Sequence, residues 1–590
     1  MTIKDVVKAW ESKVDEAVKG HGEFCDQFRV KLARAFFEGQ QKPEYATEGE
    51  WITLNMVYSH MLAQLPTLYS LDPYFYIKLT KTYNPDPDAI AEFERRGQAR
   101  QANLNYLKVE LNLKSKARLC IQDAHFSYGV MKTYYIADLK KNEEAGEPIV
   151  DEKGNELKDE TGAPLVKPDV IPVNERYEIT RVHPDDLIWG SDSGTLPEKW
   201  NWIGERLKMT LKAARKDARF NKSAIKQIGL KQNKNNKDPH RDTEENIIEL
   251  WEIYDLMTNE FFIWSRDADQ MVMNAQKVPL GVEKHPYHIL RFTLRDNSPY
   301  PIPPMSQGLD SQKEYNEARS KVMIHRKRFN RKYEMNVNGV EDPDVELAKL
   351  EAGEDGTVIR KMISDKVVSP ISDAPLDQQS YTEIGMLRQD MAELMGATDN
   401  ARGIANADSA TEADILNQKS NIKEGDRLSQ VVDWLADIGG GLDKLIQVHI
   451  DQDQAVKIEG PEGELWRVVK EDDYQEIEGE FQYSVNVGST QPKLPHIERS
   501  QWIAFMSQVV IPMPNILTKP GLMKKMAQMF GIEDDSMLKE FQALGQEIVQ
   551  QQGAGVNPQG SAAGVTEDNP VAKQGGTAGG FMGGTSGGIQ

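Results

Sequence analysis

One long helix, predicted from Ser306 to Tyr333, constrains the fold of this chain more than any other segment. Apolar residues recur three, four or seven positions apart, the repeat of a single helical stripe; they are Tyr315, Ala318, Val322, Phe329 and Tyr333. Basic residues occupy nearly all of the remaining circumference, which the core of a globular protein would not tolerate. At 1.5 Å per residue the helix would be roughly 42 Å long. We infer that it packs along one seam and that its neighbour comes from another subunit.

The residues after this helix predict an insert and a second helix. The insert covers Asn336–Pro375, with extended pieces at Thr357–Lys361 and Lys366–Ile371 among Gly and Asp turns. The second helix covers Leu376–Met395 and ends at Gly396. Its apolar residues also fall at helical spacing; they include Tyr381, Ile384, Leu387 and Met391.

A polar loop, Ala397–Asp408, leads into a third helix. The segment Ser409–Glu412 reads Ser-Ala-Thr-Glu, a capping box whose hydroxyl and carboxylate satisfy backbone donors at the start of a helix. The third helix runs to about Ile450 and contains three consecutive glycines, Gly439–Gly441. Because three glycines cost roughly 3 kcal/mol of helix propensity against alanine, we expect a kink there.

This order of parts resembles the portal, or head-to-tail connector, proteins of tailed bacteriophages. In that family two stem helices flank a small clip domain, and a tunnel loop leads from the second stem helix into a long kinked helix. By the resemblance, residues 306–335 are the first stem helix, 336–375 the clip, 376–395 the second stem helix, 396–408 the tunnel loop and 409–451 the long kinked helix. The match is one of layout over most of the chain.

The remaining residues predict an α+β fold around these parts. Residues 1–305 contain N-terminal helices and then strands of a mixed sheet with helices on it, which the resemblance makes the wing. Residues 452–496 hold strands expected to rejoin the wing sheet, and by the resemblance 497–552 form a helical crown. The Gly-rich tail, 553–590, is expected to be disordered. The wing strands are predicted at Val130–Ala137, Tyr177–Val182, Leu187–Gly190, Trp202–Leu207, Ile247–Asp255, Phe261–Trp264 and Tyr287–Leu294.

Composition excludes several classes of protein. At 590 residues more than one domain is expected, and a formal charge of -21 argues against a broad basic surface that grips nucleic acid. The basic stretch Lys208–Arg241 has two interpretations, a solvated loop with a short helix and a nucleic-acid contact. We favour the solvated loop. The two cysteines, Cys25 and Cys120, give no disulfide or metal pattern. We expect neither a signal peptide nor a membrane span, because charges fill the N-terminus and long apolar runs are missing.

Catalytic motifs are also missing from the sequence. It has no phosphate-binding G-x-x-x-x-G-K-[ST] and no H-E-x-x-H. The string His240-Arg241-Asp242 lacks the spacing and the Gly-rich loop of a kinase. His285 and His288 lead into a predicted strand, where residues three apart point to opposite faces, so a metal is not expected there. We predict no catalytic residue, no cofactor and no metal.

The resemblance implies a structural protein and not an enzyme. It would form a ring, a dodecamer in the family, at the capsid vertex through which double-stranded DNA is packaged and ejected. The implied partners are copies of itself, double-stranded DNA, the major capsid protein, the terminase large subunit and a tail or adaptor protein. It would assemble in the host cytoplasm and reside in the virion. The alternative is a multidomain nucleic-acid enzyme of unrecognised type, whose catalytic cluster the sequence lacks.

Three sets of residues are the candidate sites. The tunnel loop offers polar residues that either contact passing DNA or belong to an ordinary connection; they are Asn400, Arg402 and Asn406. The first helix carries a basic belt; it comprises Arg319, Arg326, Lys327, Arg328, Arg331 and Lys332. The belt faces either DNA or the outer and intersubunit surface, and we favour the latter because tight phosphate contacts would slow sliding. The stripe Tyr315, Val322, Phe329 and Tyr333 is predicted to pack on Tyr381, Ile384, Leu387 and Met391 of an adjacent copy.

Overall fold

The computed structural model describes most of the chain up to residue 485. The described residues are 3–70, 72–141, 146, 170–235, 246–329, 333–352, 358–370, 378–395, 410–450, 454–460, 463–475, 477, 479–485, 503 and 505–510. The chain splits into two compact units, Met1–Pro495 and His496–Gln590. A short π-helix, Met506–Val510, belongs to the second unit. The elements below belong to the first.

The first half of the chain alternates helices with strands. In chain order these elements are α1 (Ile3–Gln27), α2 (Val30–Phe37), α3 (Met56–Leu68), β1 (Phe75–Thr82), α4 (Pro87–Glu110), α5 (Leu113–Phe126), β2 (Gly129–Lys141), β3 (Val170–Val182), β4 (Leu187–Trp189), β5 (Trp202–Thr210), α6 (Leu211–Lys216), α7 (Lys222–Asn235), β6 (Ile247–Asp255), β7 (Glu260–Trp264), β8 (Met273–Lys277) and β9 (Tyr287–Leu290).

The second half is dominated by three helices. Its elements are α8 (Leu309–Phe329), β10 (Tyr333–Met335), α9 (Pro343–Ala352), β11 (Val368–Pro370), α10 (Gln378–Met395), α11 (Ala410–His449), β12 (Gln454–Gly460), β13 (Gly463–Val469) and β14 (Gly479–Val485). No helix among the described residues combines the length and hydropathy needed to span a membrane.

Two antiparallel sheets lie in the region predicted as the wing. Among the described strands, β4 to β8 pair in chain order, and β2 pairs with β3 on one side and β9 on the other. The helix α1 covers the first of these sheets, because Val7, Trp10 and Val14 are spaced three and four apart and share one buried face. The Trp10 ring meets Trp202 of β5 edge-on, with centroids 5.5 Å apart. Each strand predicted in this region has a counterpart, although β9 ends at Leu290, four residues before the predicted end at Leu294.

The strands after α11 do not rejoin this sheet, which corrects the prediction. β14 pairs antiparallel with β1, with Phe75 opposite Val485, and β12 pairs with β13 as a separate hairpin. The spacing of apolar residues places a strand and its faces, but pairing partners are chosen by packing elsewhere in the chain. Here β1 packs on α4, and Gly97 of α4 lies against the Phe481 ring of β14, where an added Cβ would stand 3.0 Å away.

Several elements differ from the prediction. Apolar residues from Trp51 to Leu65 predict a helix that stops at Pro66, whereas α3 begins at Met56, capped by the Asn55 side chain, and runs through Pro66 to Leu68. α8 ends at Phe329, and Tyr333 opens strand β10. In the insert, α9 was not predicted, and the described part of Thr357–Lys361 is not a strand.

The three glycines of α11 bring this helix close to its neighbours. An added Cβ would lie 2.8 Å from the Phe75 ring at Gly439, 3.2 Å from Tyr483 at Gly440 and 2.6 Å from the His288 ring at Gly441. α11 is helical through this run from Ala410 to His449. Close packing against β1, β14 and β9 therefore offsets the lost helix propensity. The kink stays a prediction.

Candidate functional site

The candidate functional site is α8 with the segments packed against it, the region predicted as the stem. Its N-terminal half contributes Leu309 and Tyr315 to an apolar core shared with Leu387, Met391 and Met395 of α10. The approach is close, because a Cβ at Gly308 would stand 2.2 Å from the Met395 Cε. The N-terminal helices complete this core with Ala33, Phe36, Val57, Met61 and Phe126.

A second buried face of α8 is polar. Gln312, Asn316 and Ser320 are four residues apart, so they lie on one face of the helix, and their exposed fractions are 0%, 0% and 3%. Each accepts a hydrogen bond from the backbone of the segment from Ile52 to Met56, which leads into α3. The bonds are Met56 N to Gln312 Oε1 (2.9 Å), Leu54 N to Asn316 Oδ1 (3.0 Å) and Ile52 N to Ser320 Oγ (2.9 Å). This polar ladder satisfies backbone donors that would otherwise be buried unpaired.

The polar ladder corrects our inference about the neighbour of α8. Tyr315, Leu387 and Met391 are 7%, 8% and 0% exposed within one chain, so their cover is intramolecular. Sequence reasoning missed this because the covering segment stands 262 residues earlier at Leu54. The signal that could have found it is the spacing of Gln312, Asn316 and Ser320, three uncharged polar residues on one face of a strongly charged helix.

Of the other predicted interface residues, the two tyrosines are exposed in the single chain. Tyr333 and Tyr381 are 48% and 56% exposed. Val322 and Ile384 are half-buried, and Ile384 packs against the same apolar core. The Phe329 side chain lies outside the described residues. Exposed tyrosines on β10 and α10 are thus the part of the predicted seam that is free for a second copy.

The basic belt is partly described. Arg326 and Lys327 are exposed, whereas Arg319 is half-buried and its Nε has no hydrogen-bond partner among the described residues. Arg319 and Arg326 are seven residues apart, which places them on one face two turns apart. Lys327 Nζ donates to the Gly49 carbonyl at 2.6 Å. The Arg328 side chain and all of Arg331 and Lys332 lie outside the described residues.

The tunnel-loop candidates Asn400, Arg402 and Asn406 also lie outside the described residues, but the helices before and after this loop share a buried partner. Gln64 of α3 is 1% exposed; its Nε2 donates to the carbonyl of Met395, the last residue of α10, at 2.5 Å. Its Oε1 accepts from Arg427 of α11 at 3.2 Å. One buried glutamine therefore connects the helices before and after the loop.

A buried ion pair holds α11 against α4. Arg100 and Asp443 are 2% and 0% exposed, and the guanidinium NH1 lies 3.2 Å from the carboxylate. The Tyr483 hydroxyl donates to the same carboxylate at 2.8 Å. Burial raises the pKa of Asp443, against the opposing effect of Arg100 and Tyr483. Losing Arg100 would leave a buried charge unpaired, which typically costs about 3–5 kcal/mol.

A second buried cluster joins the two wing sheets. Glu205 and Glu252 are direct cross-strand neighbours on β5 and β6, an arrangement that is repulsive by itself. Lys132 of β2 lies between them, 2.7 Å from Glu205 and also hydrogen-bonded to Glu252. Burial opposes the charge of Lys132, but the two carboxylates outweigh it and raise its pKa. The lysine thus connects β2 to the five-stranded sheet.

Two further features of the sequence are the aromatic residue Phe220 and the pair His285 and His288. Phe220, the aromatic residue of the basic stretch, is 4% exposed in a small core with α6 and α7, so it is not available for base stacking.

His285 precedes β9, so strand alternation does not separate it from His288, and both line a cavity of about 500 Å³. His288 contacts Asp437 at 2.5 Å and Thr133 at 3.1 Å.

One potential metal-binding cluster occurs among the described residues, and the sequence did not predict it. It brings His21 and Cys25 of α1 beside Asp185 of the turn before β4. The spacing of His21 and Cys25, four residues apart in a helix, is the signal that could have found the first two. The third residue is far away in sequence.

A comparison with family models gives no match, and a comparison with curated proteins gives none either. Solved structures give similar chains. One is from the virion of a native gene transfer agent particle, with TM-score 0.37, 10% identity, and coverage of 81% of this chain and 88% of that chain. Another is from the neck of an empty gene transfer agent particle computed with C6 symmetry, with TM-score 0.36, 9% identity, and coverage of 80% and 87%. At these TM-scores neither likeness decides the fold or the function of this chain.

Proposed function

We propose that this chain is a portal-type structural protein, a ring at the capsid vertex of a tailed-phage particle through which double-stranded DNA enters and leaves. The observation that carries the proposal is the order of α8, a small insert, α10, a connecting loop and the 40-residue α11. It is a structural role, without catalytic residues. The partners are further copies of the chain, DNA, the major capsid protein, the terminase large subunit and a tail or adaptor protein.

The geometry of the insert supports this proposal. β10 follows α8 and β11 precedes α10, and the two pair antiparallel, with Met335 opposite Val368. This pairing returns the chain to the point it left, so α10 runs back beside α8 and shares its apolar core. We propose that the insert is the clip at the end of this two-helix stem, and the pairing of β10 with β11 where the insert joins the helices supports that assignment.

The net charge fits a conduit. A formal charge of -21 favours repulsion of phosphates, which would let DNA slide. The loop between α10 and α11 is the candidate contact, because it is polar and joins two helices that we expect to project toward the ring axis. The basic belt of α8 serves the outer or intersubunit surface.

Electron microscopy of the purified full-length chain tests the proposal. We expect rings with a central hole, and sedimentation velocity should show one large species. Compact particles of single-chain mass over the micromolar range would contradict it and would favour a monomeric nucleic-acid enzyme.

The loop has its own prediction. Arg402→Ala should reduce DNA packaging while ring assembly stays intact, because the residue would contact DNA and not a neighbouring subunit. The measurement is nuclease-protected DNA in a packaging assay with the cognate terminase. Arg388→Ala, at an exposed arginine of α10, is the matched control and should package normally. Loss of rings in the Arg402 variant, or normal packaging, would contradict the assignment.

A further inference from the structure

The cluster of buried His21 and Cys25 with half-buried Asp185 is independent of the proposed conduit function. His21 and Cys25 are each 8% exposed and lie on the same face of α1. The Cys25 Sγ is 3.7 Å from His21 Nε2 and 3.8 Å from Nδ1. A carboxylate oxygen of Asp185 completes the set, and the three ligand atoms all lie within 4.8 Å of one another.

We propose that these three side chains bind a divalent metal ion of the zinc type, with a water molecule in the fourth position. Zinc lies about 2.3 Å from a cysteine sulfur and about 2.0–2.1 Å from a histidine nitrogen, so a tetrahedral angle separates the two ligand atoms by about 3.5 Å. The observed separation of 3.7 Å is close to this value. The spacing is therefore close to the required one, but the sulfur stands at nearly the same distance from both ring nitrogens, so neither lone pair points to a position shared with it. Binding requires the His21 ring to turn and Asp185 to move toward it.

The turn that carries Asp185 is held in place by hydrogen bonds from Tyr128 and Arg34. The Tyr128 hydroxyl hydrogen-bonds to the carbonyls of Pro184 at 2.7 Å and Leu187 at 2.9 Å. Arg34 donates to Asp185 Oδ2 at 2.9 Å, which leaves Oδ1 as the oxygen available to a metal. A hydrogen bond to the far side of a ligating carboxylate fixes its orientation, while the positive charge of Arg34 opposes a cation nearby. A bound metal would fasten α1 to the connection between β3 and β4.

The protonation states define what binding requires. Burial lowers the pKa of His21 to about 4, so the imidazole is neutral and offers a lone pair at pH 7. Burial raises the pKa of Cys25 to about 11, so the thiol must release its proton to solvent as the metal–sulfur bond forms. Binding therefore releases one proton per metal, and affinity should rise about tenfold per pH unit. The charged groups that act on the two side chains are Asp185, Arg34, Arg206, Asp186, Asp26 and Lys31.

Cobalt is a suitable probe because the whole chain has two cysteines. Titrating the metal-free full-length protein with Co²⁺ should give a thiolate-to-cobalt absorption band that saturates at one cobalt per chain. Cys25→Ser should abolish the band. Cys120→Ser is the matched control, since Cys120 is buried and donates to the Val130 carbonyl instead; it should keep the band.

A second measurement covers the case in which Cys25→Ser disrupts the fold. The wild-type protein is titrated at pH 7 and pH 8, and proton release is measured in weak buffer. We expect about tenfold tighter binding at pH 8 and one proton released per cobalt. No band in the wild type, a band retained in Cys25→Ser, a band lost in Cys120→Ser, or binding that is independent of pH would overturn the proposal.

Discussion

His125 lies fully buried near the end of α5, with Nδ1 2.8 Å from the Ile121 carbonyl and its ring edge-on to Phe292. Burial, and after it the charge of Arg427, lowers its pKa to about 3. The unfolded chain takes up this proton near pH 6.5. Between these values the unfolded state binds more protons than the folded state, so stability falls as the pH falls.

His125→Leu should therefore weaken the acid sensitivity of the fold. Between pH 7 and pH 4.5 the wild type should lose about 3 kcal/mol of unfolding free energy through this residue, at 1.36 kcal/mol for each of about two pH units. Over the same pH range, the His125→Leu variant should lose about 3 kcal/mol less unfolding free energy than the wild type. Urea unfolding at both pH values measures this, and the comparison at pH 7 alone reports the change in packing. An identical loss in both proteins would contradict the assignment.

At the scale of elements, α11 shows why glycine can be required inside a helix. Gly439 faces the Phe75 ring of β1, where a Cβ would be 2.8 Å away, whereas Gly425 in the same helix has nothing within 4 Å of an added Cβ. The two positions share the helical backbone and differ only in their surroundings. They therefore separate helix propensity from packing.

Alanine at these two positions should have opposite effects. Gly439→Ala should destabilise the protein by about 1–3 kcal/mol, because the Phe75 ring must move. Gly425→Ala should stabilise it by up to about 1 kcal/mol, because alanine favours the helix and meets no neighbour. Urea unfolding monitored by circular dichroism gives both values. If the two substitutions changed stability in the same direction, packing would not be the reason for the glycine at Gly439.

At the scale of the whole molecule, the exposure of a side chain in the single chain distinguishes two groups of residues. Buried residues stabilise the fold of the chain, and exposed residues are candidates for contacts between subunits of a ring. Leu387 is 8% exposed, and Tyr381 on the same helix is 56% exposed. On the proposed function, contacts between subunits must use surface that a single chain leaves accessible. Tyr381 meets this condition, and Leu387 belongs to the fold.

Substitutions at the two positions should have different outcomes. Tyr381→Ser should shift sedimentation toward smaller species while thermal unfolding of the chain changes little, since exposed substitutions are usually within about 0.5 kcal/mol. Leu387→Ala should lower the unfolding free energy by about 2–5 kcal/mol through the cavity it leaves. Sedimentation velocity and circular dichroism on both variants measure this. A Tyr381→Ser protein that stays ring-sized would exclude this residue as a ring contact.

Local spacing was enough to predict much of the architecture. The helices α8, α10 and α11 and the strands β5 to β7 were predicted near their observed places, because apolar periodicity reflects which face of an element is buried. The order of α8, insert, α10 and α11 also followed from the sequence, and the proposed function depends on that order.

Tertiary structure alone decided the partners of these elements. The pairing of β14 with β1, the polar ladder beneath Leu54 and the meeting of Cys25 with Asp185 each join residues far apart in the chain. Local periodicity contains no information about which distant segment covers a face, because many apolar faces are equivalent by sequence. Polar ladders and ligand clusters arise only when packing brings such segments together, and for this reason α8 was assigned a neighbour from another subunit when its cover was in its own chain.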